Sequence, residues 1–163
     1  MTAQETYKQA LAALKMRDFD KALARATKLV TEDPSNPSFT LLLGNIYSRL
    51  GRFGDAEKAY RAAVGSAPNN PEALNNLSVV FKLRGKTDEA MRFAKKALDL
   101  APERADVCYN IANIYKQTSE YEEATRWYQK AIELDPDFIR AYNNLGTLYE
   151  QIGRHREAAE IYQ

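Results

Sequence analysis

The chain of 163 residues has few of the residues that build covalent and metal-dependent sites. It contains one cysteine, Cys108, and one histidine, His155. A single thiol excludes an internal disulfide framework, and one thiol with one imidazole excludes the paired Cys and His ligands of structural zinc sites. The cysteine usage therefore favours a reducing compartment and argues against a thiolate metal centre.

An excess of charge of one sign and a long apolar run are lacking as well. Lys and Arg number 23 against 22 for Asp and Glu, a formal net charge of +1. Because nucleic-acid binding depends on a surplus of basic side chains, we expect no nucleic-acid partner. No stretch approaches the roughly 20 apolar residues that cross a bilayer, and the amino-terminal segment lacks the apolar core of a signal peptide. We therefore expect a cytoplasmic protein without a membrane partner.

The chain does contain a repeat of 34 residues. That interval separates four prolines, Pro34, Pro68, Pro102 and Pro136, and five alanines, Ala22, Ala56, Ala90, Ala124 and Ala158. The period predicts a single domain over residues 1–163, built from repeats 3–36, 37–70, 71–104 and 105–138 and a partial repeat 139–163.

Each repeat is predicted to form two helices joined by a tight turn. Apolar residues recur at helical spacing on both sides of Gly51. Because glycine accepts the left-handed conformation that ends many helices, Gly51, Gly85 and Gly153 are predicted to lie in these turns. Asn36 and Asn70 each precede a proline, a pair of residues suited to the start of a helix. The chain is therefore predicted to be all-α.

The repeat also carries a specific motif. In the second repeat the motif residues are Thr40, Leu43, Gly44, Tyr47, Ala56, Tyr60 and Pro68, and in the fifth they are Tyr142, Leu145, Gly146, Tyr149, Ala158 and Tyr162. At this spacing the chain resembles the tetratricopeptide repeat family over almost its whole length. The resemblance implies a right-handed α-solenoid of four full hairpins and part of a fifth, with a concave surface lined by the first helix of each repeat.

Three asparagines separated by the repeat length, Asn76, Asn110 and Asn144, fall on that concave surface by the same resemblance. A side-chain amide both donates and accepts hydrogen bonds. Packed helices lie about 8 to 10 Å apart, close to the length of three extended residues. We call Asn76, Asn110 and Asn144 the ladder. Their spacing predicts that they bind an extended peptide backbone. The alternative is that these amides bond only to the adjacent helix.

Other polar residues on the first helices of the repeats are predicted to add selectivity for the partner: Asn45, Asn113, Arg49, Lys82 and Lys116. The basic ones favour acidic or carboxylate-bearing segments, although exposed ion pairs are individually weak. Binding of chaperone tails is not expected. Leu41, Asp106 and Asn110 occupy the positions where the tetratricopeptide domains that bind such tails carry basic residues.

Residues for catalysis are not evident. The chain has no glycine-rich phosphate loop and no nucleophile elbow. Cys108 occupies a packing position and is expected to be a small buried hydrophobe, and His155 takes a packing position of a second helix. We predict a non-catalytic interaction module without cofactor or metal, whose partner is a protein or peptide segment.

Two alternatives remain open. One is a scaffold that forms a homo-oligomer through an open carboxyl-terminal face, since an uncapped repeat exposes apolar surface. The other is the targeting domain of a larger enzyme, such as a glycosyltransferase, that continues beyond Gln163.

Overall fold

The computed structural model describes residues 2–162, and every regular element among them is an α-helix. The chain forms two compact units, one ending at Lys86 and one beginning at Thr87. The first unit contains α1 (Ala3–Lys15), α2 (Phe19–Glu32), α3 (Pro37–Arg49), α4 (Phe53–Ser66) and α5 (Pro71–Leu83). The second contains α6 (Thr87–Leu100), α7 (Ala105–Gln117), α8 (Tyr121–Leu134), α9 (Ile139–Gln151) and α10 (His155–Ile161). The predicted all-α fold of helical hairpins is confirmed.

The turns between paired helices contain residues in the left-handed conformation. Gly51, Gly85 and Gly153 have φ angles of 71°, 73° and 78°, as predicted from the sequence. In two other turns the equivalent residues are Arg17 and Ser119, with φ angles of 60° and 63°. A side chain at such a φ angle brings Cβ close to the following carbonyl oxygen, so these two turns carry local strain.

The starts of the helices differ between the two units. Asn36 and Asn70 cap α3 and α5, because their side chains accept hydrogen bonds from backbone N–H groups of the first turn, and each is followed by a proline. At the corresponding position of α7 and α9 the N-cap residues are Arg104 and Phe138, and neither makes a side-chain capping bond. Both caps predicted from the sequence, Asn36 and Asn70, are therefore confirmed.

The repeated alanines lie in the cores of the two units and are at most 3% exposed. Their small side chains allow neighbouring helices to approach closely. Larger residues fill the rest of each core. In the first unit Leu42, Leu43 and Ile46 pack with the alanines of α1 and α2. In the second unit the core includes Tyr128, Leu145, Leu148 and Tyr149.

A close approach between α3 and α4 fixes the position of Tyr60. The Tyr60 ring lies against Gly44, and a Cβ atom at residue 44 would be 2.5 Å from the Cδ1 and Cε1 atoms of the ring. Tyr60 is only 2% exposed, so the ring has little space to move. Glycine at this position therefore allows α3 to lie closer to the Tyr60 ring than a residue with a Cβ atom would allow without a shift of the ring or the helices.

Candidate peptide-binding site

In the first unit a hydrogen-bond network joins three helices. The Nδ2 atom of Asn76 on α5 donates to the Oδ1 atom of Asn45 on α3 at 3.0 Å, and the hydroxyl group of Tyr60 on α4 donates to the same oxygen at 2.8 Å. Since an amide oxygen has two lone pairs, these two donors satisfy it. Burial raises the pKa of Tyr60 far above the ordinary value for tyrosine, so its hydroxyl group stays a donor.

The same network recurs two repeat lengths later in the second unit. The Nδ2 atom of Asn144 on α9 donates to the Oδ1 atom of Asn113 on α7 at 3.0 Å, and the hydroxyl group of Tyr128 on α8 donates to that oxygen at 2.7 Å. Asn144 Nδ2 also lies 3.0 Å from the hydroxyl oxygen of Tyr109. Burial raises the pKa of Tyr128 as well. We call these two arrangements the amide networks.

The amide networks contain four of the five predicted asparagines, Asn45, Asn76, Asn113 and Asn144. Asn76 and Asn144 are half-buried and bond through their nitrogen atoms to the adjacent first helix. Among residues 2–162 all side-chain hydrogen bonds of Asn144 run through Nδ2, which leaves its Oδ1 atom as an acceptor. Asn45 and Asn113 hold the side-chain amides of Asn76 and Asn144 in place. The third ladder residue, Asn110, is half-buried on α7.

Two of the predicted basic residues, Lys82 and Lys116, occupy the same position of the repeat, and Arg49 lies one position further along its helix. Arg49, Lys82 and Lys116 lie in the last turns of α3, α5 and α7, where the helix dipole favours a cation. Arg49 is exposed, whereas Lys82 is half-buried, and burial lowers the pKa of Lys82. None of the three forms a salt bridge within residues 2–162.

The polar role of Tyr60 and Tyr128 does not follow from the repeat motif, in which both are packing residues. A signal for that role is present in the repeats. Asparagine at the position of Asn45 and Asn113 occurs together with tyrosine on the following helix, whereas the third repeat has Val79 and Ala94 at these two positions. Because asparagine and tyrosine occur together at these two positions or are both absent, the pattern predicts that the tyrosine hydroxyl group bonds to the asparagine.

The two residues considered for catalysis have different environments. Cys108 is fully buried, and burial raises the pKa of its thiol, which confirms the prediction of a buried hydrophobe. The prediction that His155 packs in the interior is wrong. It is the first residue of α10 and is exposed, because no helix among the described residues covers that side of α10.

Residues 2–162 contain no group of three or more His, Cys, Asp or Glu side chains placed to hold a metal ion. None of the helices in this part of the chain has both the length and the apolar character needed to cross a membrane.

Comparison with known families identifies the repeat. A sequence profile of the tetratricopeptide repeat matches residues 7–71 and again residues 41–105, and two further profiles of this repeat match residues 83–131 and 112–153. The chain belongs to the tetratricopeptide repeat family. It is therefore a repeat module for protein interaction, as the sequence predicted.

Solved structures show the same fold. The chain is similar to the MamA protein, with a TM-score of 0.78 at 27% identity over 98% of this chain and 87% of that one. It is similar to PilF of Pseudomonas aeruginosa, with a TM-score of 0.86 at 20% identity over 98% of this chain and 73% of PilF. A thermophilic tetratricopeptide protein of Thermus thermophilus has a TM-score of 0.86 at 20% identity, covering 99% of this chain and 88% of its own. No curated protein matches the chain.

Proposed function

We propose that this tetratricopeptide repeat chain captures an extended segment of a partner protein, and that Asn76, Asn110 and Asn144 contact the backbone of that segment. The recurrence of the amide networks carries the proposal. In each unit a buried tyrosine and a second asparagine hold a ladder amide in one orientation. An amide that is already fixed loses less conformational entropy when a ligand binds.

The networks also indicate which atoms the ladder offers. Because the nitrogen atoms of Asn76 and Asn144 donate to the adjacent helix, their oxygen atoms are the groups left to accept a backbone N–H of the segment. An extended backbone presents such N–H groups along its length at about 3.3 Å per residue. Recognition of this kind depends on the backbone and needs little side-chain sequence in the partner.

The other predicted residues have different parts in this function. Asn45 and Asn113 position the ladder amides, whereas Arg49, Lys82 and Lys116 add selectivity for acidic segments. The chain has no catalytic role in this proposal. Self-assembly through the carboxyl-terminal face and attachment to a larger enzyme stay predictions of the sequence.

The test uses displayed random peptides of about 12 residues, long enough in extended form to pass three first helices. The protein in which Asn76, Asn110 and Asn144 are all replaced by alanine should bind the selected peptides at least about tenfold more weakly, because one net hydrogen bond is worth roughly 1 kcal/mol. Circular dichroism must show that its helix content is retained.

Asn143→Ala is the matched control. Asn143 lies on α9 beside Asn144, but it is exposed and its side chain has no place in the amide networks. The control should bind like the unmodified protein. Peptide binding that survives the triple substitution unchanged would refute the ladder as the binding site.

A further inference from the structure

One position of the repeat, on the second helices, carries an aromatic residue in the second unit and an alanine in the first. Phe93 on α6 and Trp127 on α8 are one repeat length apart, and one repeat length before Phe93 stands Ala59 on α4. Trp127 packs together with Leu98 against the core cluster that contains Cys108. In the second unit the indole ring therefore fills the space between α6, α7 and α8, and a methyl group at Ala59 is too small to fill the equivalent space.

A groove of about 290 Å³ takes the place of that ring in the first unit. Its walls include Val30 on α2, Thr40 on α3 and Ala59 on α4. Val30 and Thr40 stand two repeat lengths before Leu98 and Cys108, the neighbours of the indole ring in the second unit. Because an apolar cavity of about 150 Å³ is enough to bind benzene, this groove admits an aromatic side chain. We call it the Ala59 groove.

The Ala59 groove lies on the other side of α3 from the first amide network. Leu43 and Tyr47 line the groove, and each is two residues away from Asn45 along α3. Side chains two residues apart in an α-helix point in nearly opposite directions. The guanidinium carbon of Arg52 lies 4.6 Å from the centre of the Tyr47 ring and restrains this wall. A side chain bound in the Ala59 groove therefore leaves Asn45 untouched.

A positive charge on the rim of the groove is not neutralised within the described chain. Asp55 on the rim pairs with Arg52 at 2.7 Å, whereas Lys58 forms no salt bridge within residues 2–162. At the same position of the repeat in α8, Arg126 pairs with Glu123 at 2.8 Å. Lys58 is exposed, so its ammonium group favours a ligand with a negative charge beside the groove.

The source of the ring is better sought in another protein than in a second copy of this chain. The exposed large apolar side chains among residues 2–162 include one aromatic residue, Tyr162, and its ring lies against Gly146 on α9. These residues therefore present no exposed ring that is free to enter the groove of a neighbouring copy.

We infer that the Ala59 groove binds an aromatic side chain of a partner protein, and that Lys58 pairs with an acidic residue next to it. The partner segment carries Phe, Tyr or Trp with Asp or Glu close by in its sequence. This is a second binding surface on the first unit, and it does not depend on the ladder.

The experiment fills the groove with a side chain that another repeat carries at this position. Peptides are selected from the displayed random library on the unmodified protein, and those with a recurring aromatic residue beside an acidic one are then measured on Ala59→Phe. Because the new phenyl ring occupies the groove, these peptides should bind at least about tenfold more weakly, as expected for the loss of one buried aromatic side chain. They should bind normally to the protein with the three ladder asparagines replaced by alanine.

Lys58→Glu tests the charge without filling the groove, and it decides the proposal even if Ala59→Phe loses helix content. It should weaken the aromatic peptides by about threefold or more, and exchanging the acidic residue of the peptide for lysine should restore binding to this variant. Arg126→Glu is the matched control. It changes the same position of the repeat on α8, where Trp127 fills the equivalent space, and should bind as the unmodified protein does.

Four results overturn the inference. Selected peptides without a shared aromatic residue, or full binding to an Ala59→Phe variant that keeps its helix content, refute the groove as a binding site. Full binding of the aromatic peptides to Lys58→Glu refutes the pairing with Lys58. Loss of these peptides on the ladder substitutions alone assigns them to the ladder. Oligomers of the unmodified protein that Ala59→Phe abolishes in sedimentation would identify a second copy as the occupant, against a different partner protein.

Discussion

Replacing Gly44 by alanine tests whether the close approach of α3 and α4 sets the position of the first amide network. The new Cβ would lie 2.5 Å from two carbon atoms of the Tyr60 ring, well inside van der Waals contact. Tyr60 is buried and its hydroxyl group bonds to Asn45 at 2.8 Å, so a shift of the ring away from the new Cβ atom would strain that bond unless α3 and α4 also separate.

The expected magnitude is the sum of three effects. Alanine in place of glycine inside a helix stabilises by up to about 1 kcal/mol. Overpacking of a filled core destabilises by about 1 to 3 kcal/mol. Loss of the hydrogen bond from Tyr60 to Asn45 destabilises by about 1 kcal/mol more. We therefore expect the free energy of unfolding to fall by about 2 kcal/mol, which lowers the melting temperature by roughly 4 to 8 °C for a chain of this size.

Thermal and urea unfolding followed by circular dichroism measure the change, with two control variants. Gly65 lies on α4, and a Cβ there would meet no atom within 4 Å, so Gly65→Ala should be neutral or stabilising. Tyr60→Phe removes the hydroxyl group without a clash and should cost only about 1 kcal/mol. If Gly44→Ala proves as stable as Gly65→Ala, the contact between Gly44 and Tyr60 does not restrict the helix pair, and the reasoning is refuted.

Three other substitutions have expected effects on stability. Glu57 is buried among three basic side chains, and although burial raises the pKa of this carboxyl group, the hydrogen bond from Arg61 and the neighbouring cations lower it below 4.5 overall. Glu57→Gln should therefore destabilise by about 2 kcal/mol near pH 7, and urea titrations should show this difference shrinking as the pH falls below about 4.5. Arg17→Gly should raise the free energy of unfolding by up to about 1 kcal/mol, because Arg17 has a φ angle of 60°; an unchanged urea midpoint would contradict it. The buried hydroxyl group of Ser78 finds no hydrogen-bond partner among residues 2–162, so Ser78→Ala should raise the melting temperature, and a lower one would indicate a bond that the geometry does not contain.

The fold was predictable from the sequence because its determinants are local and periodic. The helix-ending glycines and the capping asparagines act within one or two turns of the backbone, so Gly51 and Asn70 can be interpreted without knowledge of any distant residue. The same applies to the alanines that recur inside each repeat. Because these residues recur at a fixed interval, a hairpin recognised in one repeat predicts a hairpin at the same positions of the next repeat.

The chemistry of the site was predictable only in part, because it depends on side chains far apart in sequence. The 34-residue period shows that Asn76 and Asn144 occupy equivalent positions. It does not predict that their nitrogen atoms bond to asparagines 31 residues earlier in the chain. His155 was wrongly predicted to pack, since a periodic position indicates burial only where a neighbouring helix covers it.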